Sequence, residues 1–378
     1  MKVEIFAQKI QELGIRTITG IPDSTLKQFC DYIGNEGKDI FENHIVVENE
    51  GAAVGIAIGE YLSTGNFACV YMQNSGLGNA VNPITSLANT NIYGIPMLLI
   101  VGWRGEPGTE DEPQHKFMGK ITIALLEILD IPYAIVDAET TDAEIEAFLV
   151  SAAENFANNK QYAIVIRKGT FEKRKAAIYK NAHLMEREKA VWTIVKWLQP
   201  EDIVVSTTGK ISREMYEQSD LILGNHAQTF LTVGGMGYAN MIAYQLAKRK
   251  ANRRIICLDG DGAVLMHMGS LAVLGRNPAN NMVHICLNNG AHESVGGMPT
   301  GAAGISYGKI AKSCGYAKVY HVAEEKELQK ALMEIRISDE MVFLEIDVAI
   351  GSRNNLGRPK ETAKENKFTF MKYNEVIR

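Results

Sequence analysis

Apolar residues along the first half of the chain recur in two alternating rhythms. Val3, Phe6, Ile10 and Leu13 fall on one face of a helix that ends before Gly14, and RTITG then reads as a short strand running into a loop. The exchange continues through HIVV (44 to 47), a small-residue helix from about 50 to 64, FACVYM (67 to 72), a helix near 78 to 90, PMLLIVG (96 to 102), PYAIVD (132 to 137) and YAIVIRK (162 to 168). Short, almost wholly apolar strands separated by helices predict a parallel sheet covered on both faces. Residues 169 to 185, GTFEKRKAAIYKNAHLM, turn polar and basic and read as an interdomain connection. A second series follows, with strands at DIVVST (202 to 207), RIICLDG (254 to 260), MVHICLNN (282 to 289), AKVYHV (317 to 322) and VFLEIDV (342 to 348). The pattern therefore predicts an α/β protein of two doubly wound parallel-sheet domains, 1–168 and 186–378, joined by the linker 169–185. Open parallel sheets bind ligands beyond the carboxyl ends of their strands, so the chemistry is expected in the loops that follow them.

Composition narrows the function classes. At 378 residues, 46% hydrophobic and 22% charged, the chain is long enough for two sizeable cores. A net charge of -5 with scattered Lys and Arg offers no basic stripe, so no nucleic-acid partner is expected. The apolar runs are too short to cross a bilayer, and MKVEIFAQKIQELGI lacks the apolar stretch of an export signal. A cytoplasmic protein with no membrane partner is the expectation. Cys30, Cys69, Cys257, Cys286 and Cys314, odd in number and without a CxxC pair, read as reduced, mostly buried thiols.

Two sheet-end loops carry the candidate chemistry. Gly260-Asp261-Gly262 follows the strand RIICL, and Asn288-Asn289-Gly290-Ala291 follows the next, HICL. Glycines let a backbone approach a phosphate, and a carboxylate beside a carboxamide supplies hard oxygen donors suited to Mg²⁺. Alone, Gly-Asp-Gly is also a common tight turn. Paired after successive strands, the two loops resemble the cofactor motif of the thiamine diphosphate (ThDP) enzymes related to pyruvate decarboxylase and acetolactate synthase. That resemblance implies ThDP and Mg²⁺ as cofactors. Asp261, Asn289 and the carbonyl of Ala291 would ligate the metal, with Gly260, Gly262 and Asn288 around the diphosphate. The interval from Asp261 to Asn289 is one residue longer than the family pattern, which keeps Asn288 open as the alternative ligand.

The superfamily also places a carboxylate against the aminopyrimidine ring, where proton exchange activates the cofactor. HIVVENEGAAVGIAIGEYL resembles that segment and puts the catalytic acid at Glu50, with Glu48 just outside. An acid at a helix start is also favoured by the macrodipole alone. In TVGGMGYANMIAYQLA (232 to 247), Met236 beside Gly235 resembles the residue that props the cofactor into its bent form. Thr208 and Gly209, in TTGKISRE (207 to 214), would add contacts.

A connector too short for a central domain, together with GIPDSTLKQF (20 to 29), RGEPGTEDEPQH (104 to 115), TTGKISRE, NNGAHESVGGMPTG (288 to 301) and GSRNNLGRP (351 to 359), is similar to the phosphonopyruvate decarboxylase family over nearly the whole chain. The resemblance implies decarboxylation of a small 2-oxo acid, 3-phosphonopyruvate, to phosphonoacetaldehyde and CO₂ in phosphonate biosynthesis. It also implies a homodimer or larger homo-oligomer with the active site at the subunit interface. A phosphonate dianion asks for cationic and hydroxyl donors, and Ser24, Ser75, Arg104, Lys210, Arg213, Arg353 and Arg358 lie in candidate loops, with His115 and His292 as candidate proton donors. Each is equally at home as a solvated surface group or a structural histidine. Sulfopyruvate decarboxylase is the second reading. A catalytically silent subunit of the same fold is the third, against which the joint presence of Glu50, Asp261 and Asn289 speaks.

Overall fold

The computed structural model describes residues 1–175, 177–301 and 304–376, and the chain divides into two compact units, Met1–Ile178 and Tyr179–Arg378. In the first unit the elements run α1 (Val3–Glu12), β1 (Thr17–Gly20), α2 (Lys27–Asn35), β2 (Asn43–Val46), α3 (Glu50–Thr64), β3 (Ala68–Gln73), α4 (Leu77–Pro83), β4 (Leu98–Gly102), α5 (Pro113–Ile128), β5 (Tyr133–Val136), α6 (Asp142–Ala157) and β6 (Tyr162–Ile166). All pairings in its sheet are parallel, in the order β2-β1-β3-β4-β6-β5. The central strands β4 (LLIVG) and β6 (YAIVI) are buried along their whole length, as a sheet with helices on both faces requires.

The second unit repeats the plan with α7 (Arg187–Trp197), β7 (Ile203–Ser206), α8 (Lys210–Leu223), β8 (Thr229–Leu231), α9 (Ala239–Arg249), β9 (Ile255–Gly260), α10 (Asp261–Met266), α11 (Gly269–Arg276), β10 (Met282–Asn288), the hairpin strands β11 (Ala291–His292) and β12 (Met298–Pro299), α12 (Tyr307–Cys314), β13 (Lys318–Val322), α13 (Glu325–Arg336), β14 (Val342–Asp347) and α14 (Ala363–Tyr373). Its parallel sheet has the order β13-β14-β10-β9-β7-β8. Counted from each unit's own first strand, the two orders are identical. In both, the chain leaves the first strand toward one edge and returns on the other side with the third, so the switch point lies between β1 and β3 and between β7 and β9. Two apolar clusters fill the faces of the second sheet, one including Val191, Leu258, Ile285 and Leu344, the other Cys257, Cys286, Tyr316 and Phe343.

The strands predicted from periodicity all form, shifted at their ends by one or two residues. β8 is not anticipated, because TFL is three residues long and shows no alternation. The polar stretch 169–185 is less uniform than it reads: Phe171 is buried against Phe6 and Phe29 in the first unit, and Met185 joins a core cluster of the second. Ala176, within that stretch, lies outside the described residues. No helix among the described residues is long and apolar enough to cross a membrane.

Candidate active site

In the first unit, β2 feeds a loop in which Asn49 caps α3 by accepting the Ala52 N–H at 3.0 Å. Glu50 is the first helical residue and is 5% exposed, whereas Glu48 faces solvent. The Glu50 carboxylate accepts from Asn79 Nδ2 at 2.7 Å. It also lies so close to Gly76 that a Cβ there would meet Oε1 at 2.3 Å and Cγ at 2.5 Å. Ser75, one residue earlier, sits in the 3-10 turn Asn74–Gly76 after β3 and accepts from Gln73 Nε2.

Loops after β1 and β4 form a second cluster. Arg104 donates from Nη1 to Ser24 Oγ at 2.7 Å and grips Asp111 through Nε, at 2.7 Å, and Nη2. Burial opposes the Asp111 anion, but the Arg104 fork and the N–H groups of Glu112 and Gly105 hold its carboxyl well below the usual carboxylate range. Arg104 thus enters the site already paired. Asp23 is 3% exposed, and burial pushes its carboxyl up to about 6 against the Thr25 N–H and the Arg104 charge. Its Oδ1 lies where a Cβ on Gly102 would be, at 2.4 Å. His115 is buried on α5 with Nδ1 unpartnered among the described residues, and burial, then the Arg104 charge, lowers its pKa. The structure therefore brings Ser24 and Asp23 together with Arg104, whose charge also acts on His115; Asp23 is a residue that motif reading overlooked although it lies within GIPDSTLKQF.

In the second unit, Asp261 opens α10 at the end of β9 and is 3% exposed. Burial raises its carboxyl to about 7, although N–H groups of Asn289, Gly262 and Gly290 point at it. The Gly-Asp-Gly and Asn-Asn loops are therefore in contact. Asn288 donates from Nδ2 to Glu345 Oε1 at 3.0 Å, and its Oδ1 accepts from Gly290 N at 3.1 Å. Asn289 donates from Nδ2 to Glu293 Oε2 at 2.9 Å, and its Oδ1 accepts from Ala291 N at 3.0 Å. Gly290, at φ 66°, makes the left-handed turn between them. Around Gly262 stand His292 Nδ1 and Thr300 Cγ2, each 3.8 Å from where a Cβ would be. Burial lowers the His292 pKa to about 4.

Ile211, just past Thr208, Gly209 and Lys210, would lie 3.1 Å from a Cβ on Gly260, so the start of α8 borders the same loop. Gly237, next to Met236, packs against the Ala263 carbonyl of α10 and against His267. Lys210 donates to Glu293 Oε1 at 3.2 Å and to Ser352 Oγ at 2.7 Å. Arg353 is drawn instead to Glu188, at 2.9 Å, and to Glu217. Arg213 lies half-buried on α8 and Arg358 lies exposed in the loop after β14, both with partners. Glu293 and Thr300 escaped sequence reading because nothing in NNGAHESVGGMPTG distinguishes a residue facing the metal loop from one facing solvent.

Comparison with known proteins bears on both units. Residues 2–125 match the N-terminal TPP binding domain of thiamine pyrophosphate enzymes, and residues 207–346 match the C-terminal one. The chain is 34% identical over 369 residues to a phosphonopyruvate decarboxylase of Streptomyces viridochromogenes, covering 93% of this chain and 90% of that protein. The chain belongs to the phosphonopyruvate decarboxylase family of thiamine pyrophosphate enzymes. A second family member, from Streptomyces hygroscopicus, is 32% identical over 364 residues, covering 92% of this chain and 88% of its own length. A sulfopyruvate decarboxylase of Methanosarcina acetivorans is 26% identical over 369 residues, covering 90% and 92%.

The residues present suit a family member's cofactor. Asp261 Oδ2, His292 Nε2 and Thr300 Oγ1 are shielded from water without a hydrogen-bond partner among the described residues, an arrangement that is costly unless a ligand satisfies them. The N–H groups of Asn289 and Gly290 reach the Asp261 carboxylate, so the loop carrying the candidate oxygen donors Asn289 Oδ1 and the Ala291 carbonyl borders it, and oxygen donors are what a hard divalent cation takes.

Proposed function

We propose that the chain converts 3-phosphonopyruvate to phosphonoacetaldehyde and CO₂ with ThDP and Mg²⁺, serving phosphonate biosynthesis in the cytoplasm. The carrying observation is the 34% identity to a phosphonopyruvate decarboxylase along 90% of that protein's length, against 26% to a sulfopyruvate decarboxylase. Residues 1–168 would take the pyrimidine end of the cofactor and 186–378 its diphosphate. Bound ThDP would supply the sink for the electron pair left behind when the substrate's carboxylate departs as CO₂.

The chain's own groups have separable tasks. Asp261, Asn289 Oδ1 and the Ala291 carbonyl would hold Mg²⁺. Gly260, Gly262 and Asn288 would line the diphosphate, with His292 and Thr300 beside them, and Thr208, Gly209, Gly235 and Met236 would border the cofactor. Glu50, fixed by Asn79, would hold and return a proton at its carboxylate. Ser24, Ser75 and Lys210 would meet the acid end of the substrate, while Arg104, fixed by Asp111, sets the charge around Asp23 and His115. Asp23 titrates close enough to neutrality to exchange a proton there. The active unit is a homodimer or larger homo-oligomer.

Sulfopyruvate is the second reading, supported by end-to-end similarity to the Methanosarcina protein. Assays of aldehyde and CO₂ with phosphonopyruvate, sulfopyruvate and pyruvate in parallel separate the readings. Turnover of phosphonopyruvate well above the other two is expected, and preference for sulfopyruvate would replace the first reading by the second.

A further inference from the structure

One carboxylate ties the candidate metal loop to three other parts of the second unit. Glu293 opens the 3-10 turn Glu293–Val295 directly after β11. Its Oε2 accepts from Asn289 Nδ2 at 2.9 Å and from the Gly351 N–H at 3.0 Å, and lies 3.3 Å from Arg187 Nη1. Its Oε1 accepts from Lys210 Nζ at 3.2 Å. Arg187 is itself clamped, 3% exposed, donating Nε and Nη2 to Glu214 at 2.8 and 2.7 Å. Glu293 is thus held by cations at the starts of α7 and α8 and by a loop N–H, in a network where each bond restrains the others.

A carboxamide can turn either its oxygen or its NH₂ toward a cation, and only the oxygen ligates. A carboxylate only accepts hydrogen bonds, so Glu293 selects the Nδ2 end of Asn289. The opposite end, Oδ1, is left on the side of Ala291, whose N–H it accepts at 3.0 Å and whose carbonyl is another candidate ligand. Glutamine at 293 could accept or donate and would lose that selection.

We propose that Glu293 is a positioning residue for the metal: it locks the Asn289 carboxamide with Oδ1 toward the cation, and the Arg187–Glu214 pair gives that lock its rigidity. The inference rests on the reading of Asn289 as a Mg²⁺ ligand. The competing role is a carboxylate that merely neutralises Arg187 and Lys210. Hydrogen-bond partners of metal ligands typically contribute about ten- to a hundred-fold in metal affinity.

The test titrates Mg²⁺ calorimetrically into the metal-free full-length chain with ThDP present, for wild type, Glu293→Gln, Asn289→Ala and the double variant, with melting temperatures taken without metal. Both single variants are expected to weaken Mg²⁺ binding by about ten- to a hundred-fold. The double variant should be no weaker than Asn289→Ala alone, because Glu293 acts through that amide. If Asn289→Ala weakens binding but Glu293→Gln does not, or if the two losses add, the positioning role is overturned and the metal reading stands. Unchanged affinity in Asn289→Ala overturns both. Should Glu293→Gln not fold, Glu293→Asp keeps the charge facing Arg187 and Lys210 but draws the acceptor back from Asn289. Weakened Mg²⁺ binding is expected there too, and wild-type affinity overturns the proposal.

Discussion

Asp23 and Glu50 are both buried acids at strand ends, yet their surroundings prepare them differently. The Asp23 carboxyl titrates at about 6, against an ordinary 3.8, because burial disfavours the anion more than the Thr25 N–H and the Arg104 charge favour it. The folded chain therefore holds a proton that the unfolded chain releases between about pH 4 and pH 6. Stability falls as pH rises through that window, by about 3 kcal/mol in all. Asp23→Asn should accordingly melt above wild type near pH 7.5 and level with it near pH 4, when the two are compared by calorimetry. An equal difference at both pH values would contradict the assignment. For Glu50, the expectation is catalytic: Glu50→Gln should slow deuterium exchange at C2 of bound ThDP by orders of magnitude while Glu48→Gln leaves it unchanged. Glu50 and Asp261 were legible because each stands at a recognisable strand end beside glycine or small-residue runs. Asp23 and Glu293 were not, because what singles them out comes from Gly102, Arg104 and Arg187, remote in sequence.

Elements carry these residues by close backbone approach. The turn Asn74–Gly76 and helix α4 press on the start of α3, and the contact point is Gly76 against the Glu50 side chain. Gly76 has φ -68°, so alanine strains no backbone there and acts only through its methyl. Gly76→Ala is expected to fold with a modestly lowered melting temperature but to displace Glu50 from Asn79, slowing C2 exchange nearly as far as Glu50→Gln does. Wild-type exchange in a folded Gly76→Ala protein would show that the carboxylate's placement is not critical. The α3 helix itself was legible from residues 50 to 64, since Asn49 is a good cap and the small residues suit packing. The helix read near 78 to 90 instead ends at Pro83 and continues as a π turn, Ile84–Ala88, because proline removes an N–H from the regular ladder. Such local overrides leave no periodic trace.

At the scale of the whole molecule, the alternation of helix and strand sufficed to anticipate two parallel sheets, but it could not reveal that their strand orders are the same. That identity places corresponding loops at each switch point, with Asp23 and Ser75 after β1 and β3 and Thr208 and Asp261 after β7 and β9. The proposed enzyme uses both ends at once, Glu50 from one subunit and Asp261 from another acting on a single cofactor. Closing such a crevice with a symmetric partner would exclude water from the reacting carbon. The most direct measurement mixes two inactive proteins, Glu50→Gln and Asp261→Ala, under conditions that let subunits exchange, with exchange verified by mass. Decarboxylation of phosphonopyruvate should return, because a mixed dimer has one site with both defects and one with neither. No recovered activity after verified exchange, or a fully active monomer, would contradict the shared site.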